Sequence, residues 1–477
     1  MKTREEIAKS IKSRFFILTQ NGNEIPIDLS IINEKQEFLR EYPELVKVIK
    51  FEVLGEKPGK VPPSVHLMQK LELVGYEAAS DSGHFRFYPK GSLMLKLLED
   101  WAEEIAIKRL GAMQIETPIL YDWNHKSIRS QGESFHERHY SVKVPDHKDK
   151  EFVLRFAGDF GLFCMLGDSN ISYKQLPLRV YEFSKSFRYE LRGGLVGLRR
   201  LRGFSMPDVH SFCSDIEQGW EEYKELYRSY SDLANATETE YAIIFRIVDG
   251  FYMKHKNQIL EMLQYSNQPA IIEVLSDMKH YWAVKHEFQG IDSVGGACQV
   301  ATVQLDVMDA EKYGITYTDE KGKEVGCIIC HSTIGALERW LFLVLESAMK
   351  MEVPQFPLWL SPEHVRFIPV SEEYLSHAIR LASEFYDKNI RVSVDDRQLT
   401  VGKKIRLASQ EWTPYIVVVG QREVDMGIDT VKKRGVKNDI SMTSEQLIKE
   451  ISLSISQMPF RHSTLPRLMS KRPTFYG

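Results

Sequence analysis

Residues 178–212 read LRVYEFSKSFRYELRGGLVGLRRLRGFSMPDVHSF. The stretch predicts an antiparallel hairpin, strand 178–190 returning as strand 202–212 through a turn centred on Gly193 and Gly194. Residues 188–202 hold five arginines (188, 192, 199, 200, 202) and three glycines, at the base of the hairpin, where the guanidinium groups face a common pocket. The planar fork of arginine suits bidentate binding of phosphate, and glycine lets a loop approach a nucleotide closely. By composition alone a solvated basic hairpin fits as well.

Outward from the hairpin, residues 299–307, QVATVQLDV, alternate Val300, Thr302 and Gln304 with Ala301, Val303 and Leu305, a pattern for a pocket floor with its back in the core. Residues 326–346, GCIICHSTIGALERWLFLVLE, predict an apolar strand, a turn at Gly335 and a long helix with Arg339 in its first turn. The helix macrodipole disfavours a cation there, so Arg339 points to an anionic ligand nearby. Met94, Leu97, Leu98, Trp101 and Ile105 fall at helical spacing, so 92–110 predicts an amphipathic helix running into a strand that carries Pro118. These elements do not alternate regularly, which gives an α+β domain on a mainly antiparallel sheet. After Pro354, Pro357 and Pro362 the chain alternates β-α-β-α-β, the pattern of a small α/β domain, closed by a helix capped at Thr443 or Ser444. The charge-rich first 60 residues read as helices and turns without chemistry.

With 477 residues the chain exceeds a single core, and Lys+Arg 62 against Asp+Glu 66 excludes a polycationic arm or an acidic disordered protein. Five cysteines (164, 213, 298, 327, 330) make no disulfide framework and predict a reducing, cytoplasmic setting. No secretory leader or membrane span is expected. Cys327 and Cys330 point to opposite faces of a strand and cannot act together.

FRYE at 187–190 with its arginine-rich return resembles the second signature motif of the class II aminoacyl-tRNA synthetases. GALER at 335–339 resembles the third, and the helix with IETP at 115–118 stands in the place of the first. Residues 62–93, 194–210 (GLVGLRRLRGFSMPDVH), 394–406 (VDDRQLTVGKKIR) and 412–420 (WTPYIVVVG) resemble the archaeal-type threonyl-tRNA synthetases, in the family's order. The resemblance implies a catalytic domain over 61–352, a linker at 353–362, an anticodon-binding domain over 363–460 and a basic tail at 461–477, after an extension at 1–60.

The resemblance implies that threonine is activated with ATP and Mg²⁺ and passed to the 3′ end of threonine tRNA. Arg188 is expected on the α-phosphate, Glu190 on the adenine amino group, Arg200 on the γ-phosphate, Phe204 stacked on adenine and Arg339 across the phosphates. Gln299 and Thr302 are expected at the ribose, and Asp208 and Gln304 at the threonine. Family members hold zinc through Cys, His and His. His210 matches the first histidine, while the cysteine position, counted from residues 176–179, is Asp159. The second histidine position, counted from Gly335, falls on Cys330, or on His331 with one residue deleted. Only one of those two can face the pocket unless a bulge intervenes. A metal-free pocket is the alternative.

Few residues precede the resemblance, which implies the catalytic form without an editing domain and a separate protein that clears seryl-tRNA. Glu423 and Lys432 fall where the family reads anticodon bases. A homodimer is expected on the first motif. The tail, with Arg461, Arg467, Lys471 and Arg472, either steers tRNA phosphates or frays in solvent. Two other readings are a tRNA-binding paralogue that has lost activation and a class II enzyme for serine or proline.

Overall fold

The computed structural model describes residues 12–27, 37–56, 59–133, 138–146 and 150–476. The chain forms two compact units, residues 1–61 with 102–343 and residues 62–101 with 344–477.

The first unit is built on a ten-stranded sheet. Its strands in chain order are β1 (Ser13–Leu18), β2 (Glu24–Pro26), β3 (Met113–Gln114), β4 (Leu178–Phe187), β5 (Gly203–Cys213), β6 (Tyr241–Val248), β7 (Ala270–Leu275), β8 (Trp282–Ile291), β9 (Ala297–Asp306) and β10 (Ile328–Thr333). They lie in the order β2-β1-β7-β6-β8-β9-β10-β5-β4-β3. Only β6/β7 and β3/β4 pair in parallel, so the mainly antiparallel sheet is as expected. The hairpin forms between β4 and β5, closed by a short helical turn at Arg192–Gly194.

The first 60 residues depart from expectation. Charged flanks mask the apolar run Phe15–Leu18 in the sequence, yet β1 pairs antiparallel with β7 and buries Ile17 against Leu45, Val46 and Ile49. The expectations for residues 1–11, 28–36 and 57–58 lie outside the described residues. The strand expected to carry Pro118 is short, ending at Gln114.

Against the sheet lie helices α1 (Asp159–Gly167), α2 (Ile216–Ala236), α3 (Asp249–Ser266), α4 (Asp309–Tyr313) and α5 (Leu337–Met349), the last running on into the second unit. Behind the sheet, α2 contributes Tyr223, Tyr227 and Tyr230 to a core that includes His286.

The second unit is built on strands β11 (Val365–Pro369), β12 (Val392–Val394), β13 (Tyr415–Val419), β14 (Asp429–Lys433) and β15 (Ile440–Met442), ordered β12-β11-β13-β14-β15. Helices α6 (Leu375–Tyr386) and α7 (Val401–Gln410) join the first three, which are parallel, as the sequence predicts. The antiparallel β14 and β15, which follow α8 (Gln421–Met426), are additional. Helix α9 (Ser444–Ile455) closes the unit, and the Thr443 side chain accepts from the Gln446 amide. The amphipathic helix forms as Pro89–Glu103 and continues to Arg109 in a wider turn, burying Met94, Leu97, Leu98 and Ile105.

The basic tail is folded onto this second unit. Arg461 binds Asp100, Arg472 binds Glu363, Ser470 binds Asp396, and Phe475 stacks on Tyr88 at 5.0 Å. Three of these partners are acids remote in sequence, so the reading of a frayed tail is set aside for these residues.

One buried neutral histidine in each unit predicts acid sensitivity. Burial pushes His286 down to about 3, and burial with the adjacent Arg391 pushes His364 well below its ordinary value. Both therefore resist protonation when folded but take a proton near pH 6.5 when unfolded. Their stabilisation is complete above that pH and is lost as pH falls towards the folded values, by about 1.4 kcal/mol per pH unit for each histidine. Thermal midpoints should be level from pH 8 to 7 and fall between 6.5 and 5, and His286→Gln should flatten that fall. Equal midpoints at pH 7 and 5 would exclude this origin.

Candidate active site

The site lies on one face of the ten-stranded sheet, where β5, β10 and β9 run side by side. Strand register sets its rows. His210 on β5 lies opposite His331 on β10, and His331 lies opposite Gln304 on β9. One row on, Asp208 lies opposite Thr333, and Thr333 opposite Thr302.

Gln299 would point to the far side by strict alternation with Thr302. A bulge corrects this: Glu287 pairs with Thr302 but Gln289 pairs with Gln299, so β9 carries one extra residue between the two pairs. Gln299, Thr302 and Gln304 thus share a face, and Val300, expected beside Thr302 and Gln304, falls within the bulge. Lys285 on β8, which the sequence did not flag, places its ammonium 3.5 Å from the Gln299 amide oxygen and 2.7 Å from Glu287. Burial opposes the Glu287 charge, yet Lys285 and Arg246 hold its carboxyl down at about 2.

At one end of the site are the expected nucleotide residues. Arg188 donates from Nε to the Phe156 carbonyl at 2.8 Å and lies over the buried Phe204 ring at 5.2 Å. Arg339 donates to the carbonyls of Arg199 and Gln299 at 3.1 and 2.9 Å. Burial, followed by repulsion from Arg339, lowers Arg188 to about 10, so the two cations are close enough to favour an anion beside them. Arg200 donates from Nε and Nη2 to a single oxygen of Glu190, Oε2, at 3.0 and 2.7 Å.

The start of α5 is fixed by a carboxylate that the sequence reading passed over. Glu338, almost fully buried, accepts from the Ser205 amide at 2.9 Å and its hydroxyl at 3.2 Å. An acid in the first turn of a helix was the available signal. The preceding turn requires Gly335: its φ is +91°, and a Cβ there would meet the Val300 carbonyl oxygen at 2.4 Å.

At the other end, Asp208 accepts from Ser184 at 2.8 Å, and burial pushes its carboxyl up to about 7. Gly158 leaves room for it, since a Cβ at that position would sit 2.8 Å from Asp208 Oδ2. Gln304 accepts at 2.8 Å from the Tyr281 hydroxyl, a third residue absent from the sequence expectation, and Thr302 donates to the His286 carbonyl.

Asp159, His210 and His331 come together here, with one donor atom from each within 4.8 Å of the others. His210 Nε2 lies 3.3 Å from Asp159 Oδ1. Ligands about 2.0–2.1 Å from a tetrahedral zinc are roughly 3.3–3.5 Å apart, a separation that the His210–Asp159 pair meets. Burial disfavours the Asp159 charge, but His210 and His331 hold its carboxyl below the usual range. Cys330 is not part of this set, which corrects the alternative drawn from the sequence. Neighbours on a strand point to opposite faces, so Cys330 is buried behind the sheet, where Cys213 and Glu222 add to the burial that raises its thiol.

In the second unit Glu423 and Lys432 lie near one another. Glu423 accepts from the Gly420 amide at 3.0 Å and from Thr430 at 2.8 Å, and Lys432, two residues along β14 from Thr430, pairs with Asp439 at 2.6 Å. Val424, Met426, Ile428 and Val436, near them in sequence, are exposed.

Comparison with known proteins matches residues 140–348 to the tRNA synthetase class II core domain (G, H, P, S and T) and residues 364–453 to an anticodon binding domain. Threonine–tRNA ligase of Pyrococcus furiosus is 40% identical over 99% of this chain and 77% of its own length. That of Methanosphaera stadtmanae is 40% identical over 97% and 74%. The fold is shared with the RNA binding domain of threonyl-tRNA synthetase from Cryptosporidium parvum (TM-score 0.71, 22% identity, 85% of this chain and 100% of that one). Prolyl-tRNA synthetase of the same organism gives a TM-score of 0.66 at 15% identity, over 83% and 75%.

Proposed function

The chain belongs to the threonine–tRNA ligase family, and from that premise we propose that it converts threonine and ATP to threonyl-adenylate and then charges threonine tRNA. The observation that carries this reading is one sheet face with paired arginines and Phe204 at one end and Asp208, Gln304 and a two-histidine, one-carboxylate cluster at the other.

The threonine carboxylate attacks the α-phosphorus of ATP, which enters with Mg²⁺, and pyrophosphate leaves. Negative charge grows on the phosphoryl oxygens, and Arg188 and Arg339, fixed beforehand by backbone carbonyls, meet it without reorganising. Phe204 stacks on adenine, Glu190 and Arg200 part to take the amino group and γ-phosphate, and Gln299 and Thr302 flank the ribose. Asp208 accepts an N–H from the threonine amino group, and Gln304 is fixed by Tyr281. A zinc ion held by Asp159, His210 and His331 would supply open positions for the threonine amino and hydroxyl groups. No side chain is required as a general base; the chain positions and screens charge. The tRNA 3′ hydroxyl then attacks the adenylate carbonyl and AMP leaves.

We divide the work as catalysis in 61–352, a linker at 353–362 and anticodon reading in 363–460, where the apolar side chains beside Glu423 and Lys432 offer a surface for bases. Exposed Met113, Ile119 and Leu120 beside the first motif support a homodimer there. Among the described residues no helix is long and apolar enough to cross a membrane.

The pocket rejects valine, which leaves polar groups unpaired, more strongly than serine, which lacks only a methyl worth about 1–3 kcal/mol. Threonine-dependent ATP–pyrophosphate exchange should therefore exceed serine-dependent exchange by only about 10–200-fold. Ser-tRNA should accumulate with the isolated chain, and a separate hydrolytic activity is the proposed remedy. Absence of threonine-dependent exchange in folded, tRNA-binding protein would favour a paralogue that binds without activating. Rapid deacylation of Ser-tRNA by this chain would remove the need for clearance in trans.

A further inference from the structure

The last residue of β9, Asp306, is buried to 1% exposure and uses both of its oxygens. Oδ1 accepts from the Met308 and Asp309 amides at 2.7 and 2.9 Å and so caps the start of α4, while Oδ2 meets His331 Nε2 at 2.7 Å. An ionised carboxylate can only accept, so Nε2 carries the proton. In the neutral ring this leaves Nδ1 as the nitrogen with a lone pair.

The His331 ring has little freedom to choose otherwise. Phe163 meets it edge-on at 5.3 Å, Tyr281 lies at 5.5 Å and His210 at 5.3 Å. The other histidine of the cluster lacks such a hydrogen bond: with Nε2 turned to Asp159, the buried Nδ1 of His210 makes none among the described residues. Orientation of the cluster thus falls on the Asp306–His331 pair.

Resting on the threonine-ligase reading and its metal, we propose that Asp306 is a positioning residue that fixes His331 in the Nε2–H tautomer, so that Nδ1 is its metal-binding atom. Asp306 also lies with Asp309 and His331 in a second group whose donor atoms are within 4.8 Å of one another, but in this proposal it is not a ligand of the ion of Asp159, His210 and His331 and acts through His331.

Asp306→Asn tests this with every hydrogen bond retained. The amide oxygen can still cap α4, which turns the amide NH₂ towards His331 and makes Nε2 the acceptor. The ring must then carry its proton on Nδ1, the atom assigned to the metal. The variant should keep its helical signal and melting behaviour yet bind Zn²⁺ about 10–100-fold more weakly, measured by competition with a chromophoric chelator after metal removal. Nitrogen-15 NMR of histidine-labelled protein, with His331→Gln to assign the signal, should show Nε2–H in the zinc-loaded wild type. That spectrum does not depend on Asp306→Asn, so it decides the matter even if that variant fails to fold.

Unchanged zinc affinity in the folded variant, metal on Nε2, or no zinc bound by the wild type would each overturn the proposal. Threonine-dependent exchange by the wild type, measured alongside, distinguishes these failures from failure of the threonine-ligase reading itself.

Discussion

Arg188→Ala is expected to lower threonine-dependent ATP–pyrophosphate exchange by about 10²–10³-fold, the loss seen when one fixed donor to a developing anion is removed. The guanidinium is already in place without nucleotide, oriented by the Phe156 carbonyl and by the ring of Phe204. At about 10 it stays charged at neutral pH. Because its contact grows with the transition-state charge, the loss should fall mainly on kcat and less on the KM for ATP. Stability should respond differently. Burial and Arg339 both work against the Arg188 charge in the nucleotide-free chain, so the variant should melt no lower than wild type while its stabilisation by ATP shrinks. Arg188→Lys keeps a charge but loses the planar fork, and should recover only part of the rate. Exchange within tenfold of wild type in Arg188→Ala would remove Arg188 from the proposed role.

The second large effect is structural. Arg155→Met is expected to cost about 3–5 kcal/mol of stability, because it strands a buried carboxylate. Arg155 and Glu182 are 3% and 4% exposed and meet at 2.7 Å. Glu182 also accepts from the Thr117 amide at 2.9 Å and its hydroxyl at 3.0 Å, so the pair ties the segment before Pro118 to β4. Glu182 is the strand partner of Asp208, which extends the consequence to the threonine end of the site. Replacing both residues, as Arg155→Met with Glu182→Leu, should restore much of the loss, since no unpaired charge remains. Urea unfolding of the single and double variants checks this, and equal destabilisation in the two would count against it.

The hairpin, the helix of Arg339 and the β-α-β-α-β run were legible because each is written locally, in glycine turns and short periodicities. What stayed hidden depends on partners far along the chain. The bulge that brings Gln299 onto the face of Thr302 has no local signature, and alternation alone would have separated them. Cys330 and His331 could not be told apart by counting, because one deleted residue reverses a strand's facing; pairing with His210 and Gln304 decides it. Asp306, Glu338 and Tyr281 act through side chains 25, 133 and 23 positions away. The tail arginines look solvated in sequence because Asp100 and Glu363 lie so far from them.

Cys330 behind the sheet leaves the cluster of Asp159, His210 and His331 with oxygen and nitrogen donors and no sulfur. Peroxide attacks thiolates first, climbing from sulfenic to sulfonic acid. None of those products can form at this cluster. Four of the five thiols are buried, and the half-exposed Cys164 is raised by burial and by Asp168, which keeps its thiolate scarce. Thiol oxidation in this chain is therefore expected first at Cys164, on the helix that carries Asp159, and leaves the donor atoms of the cluster chemically intact.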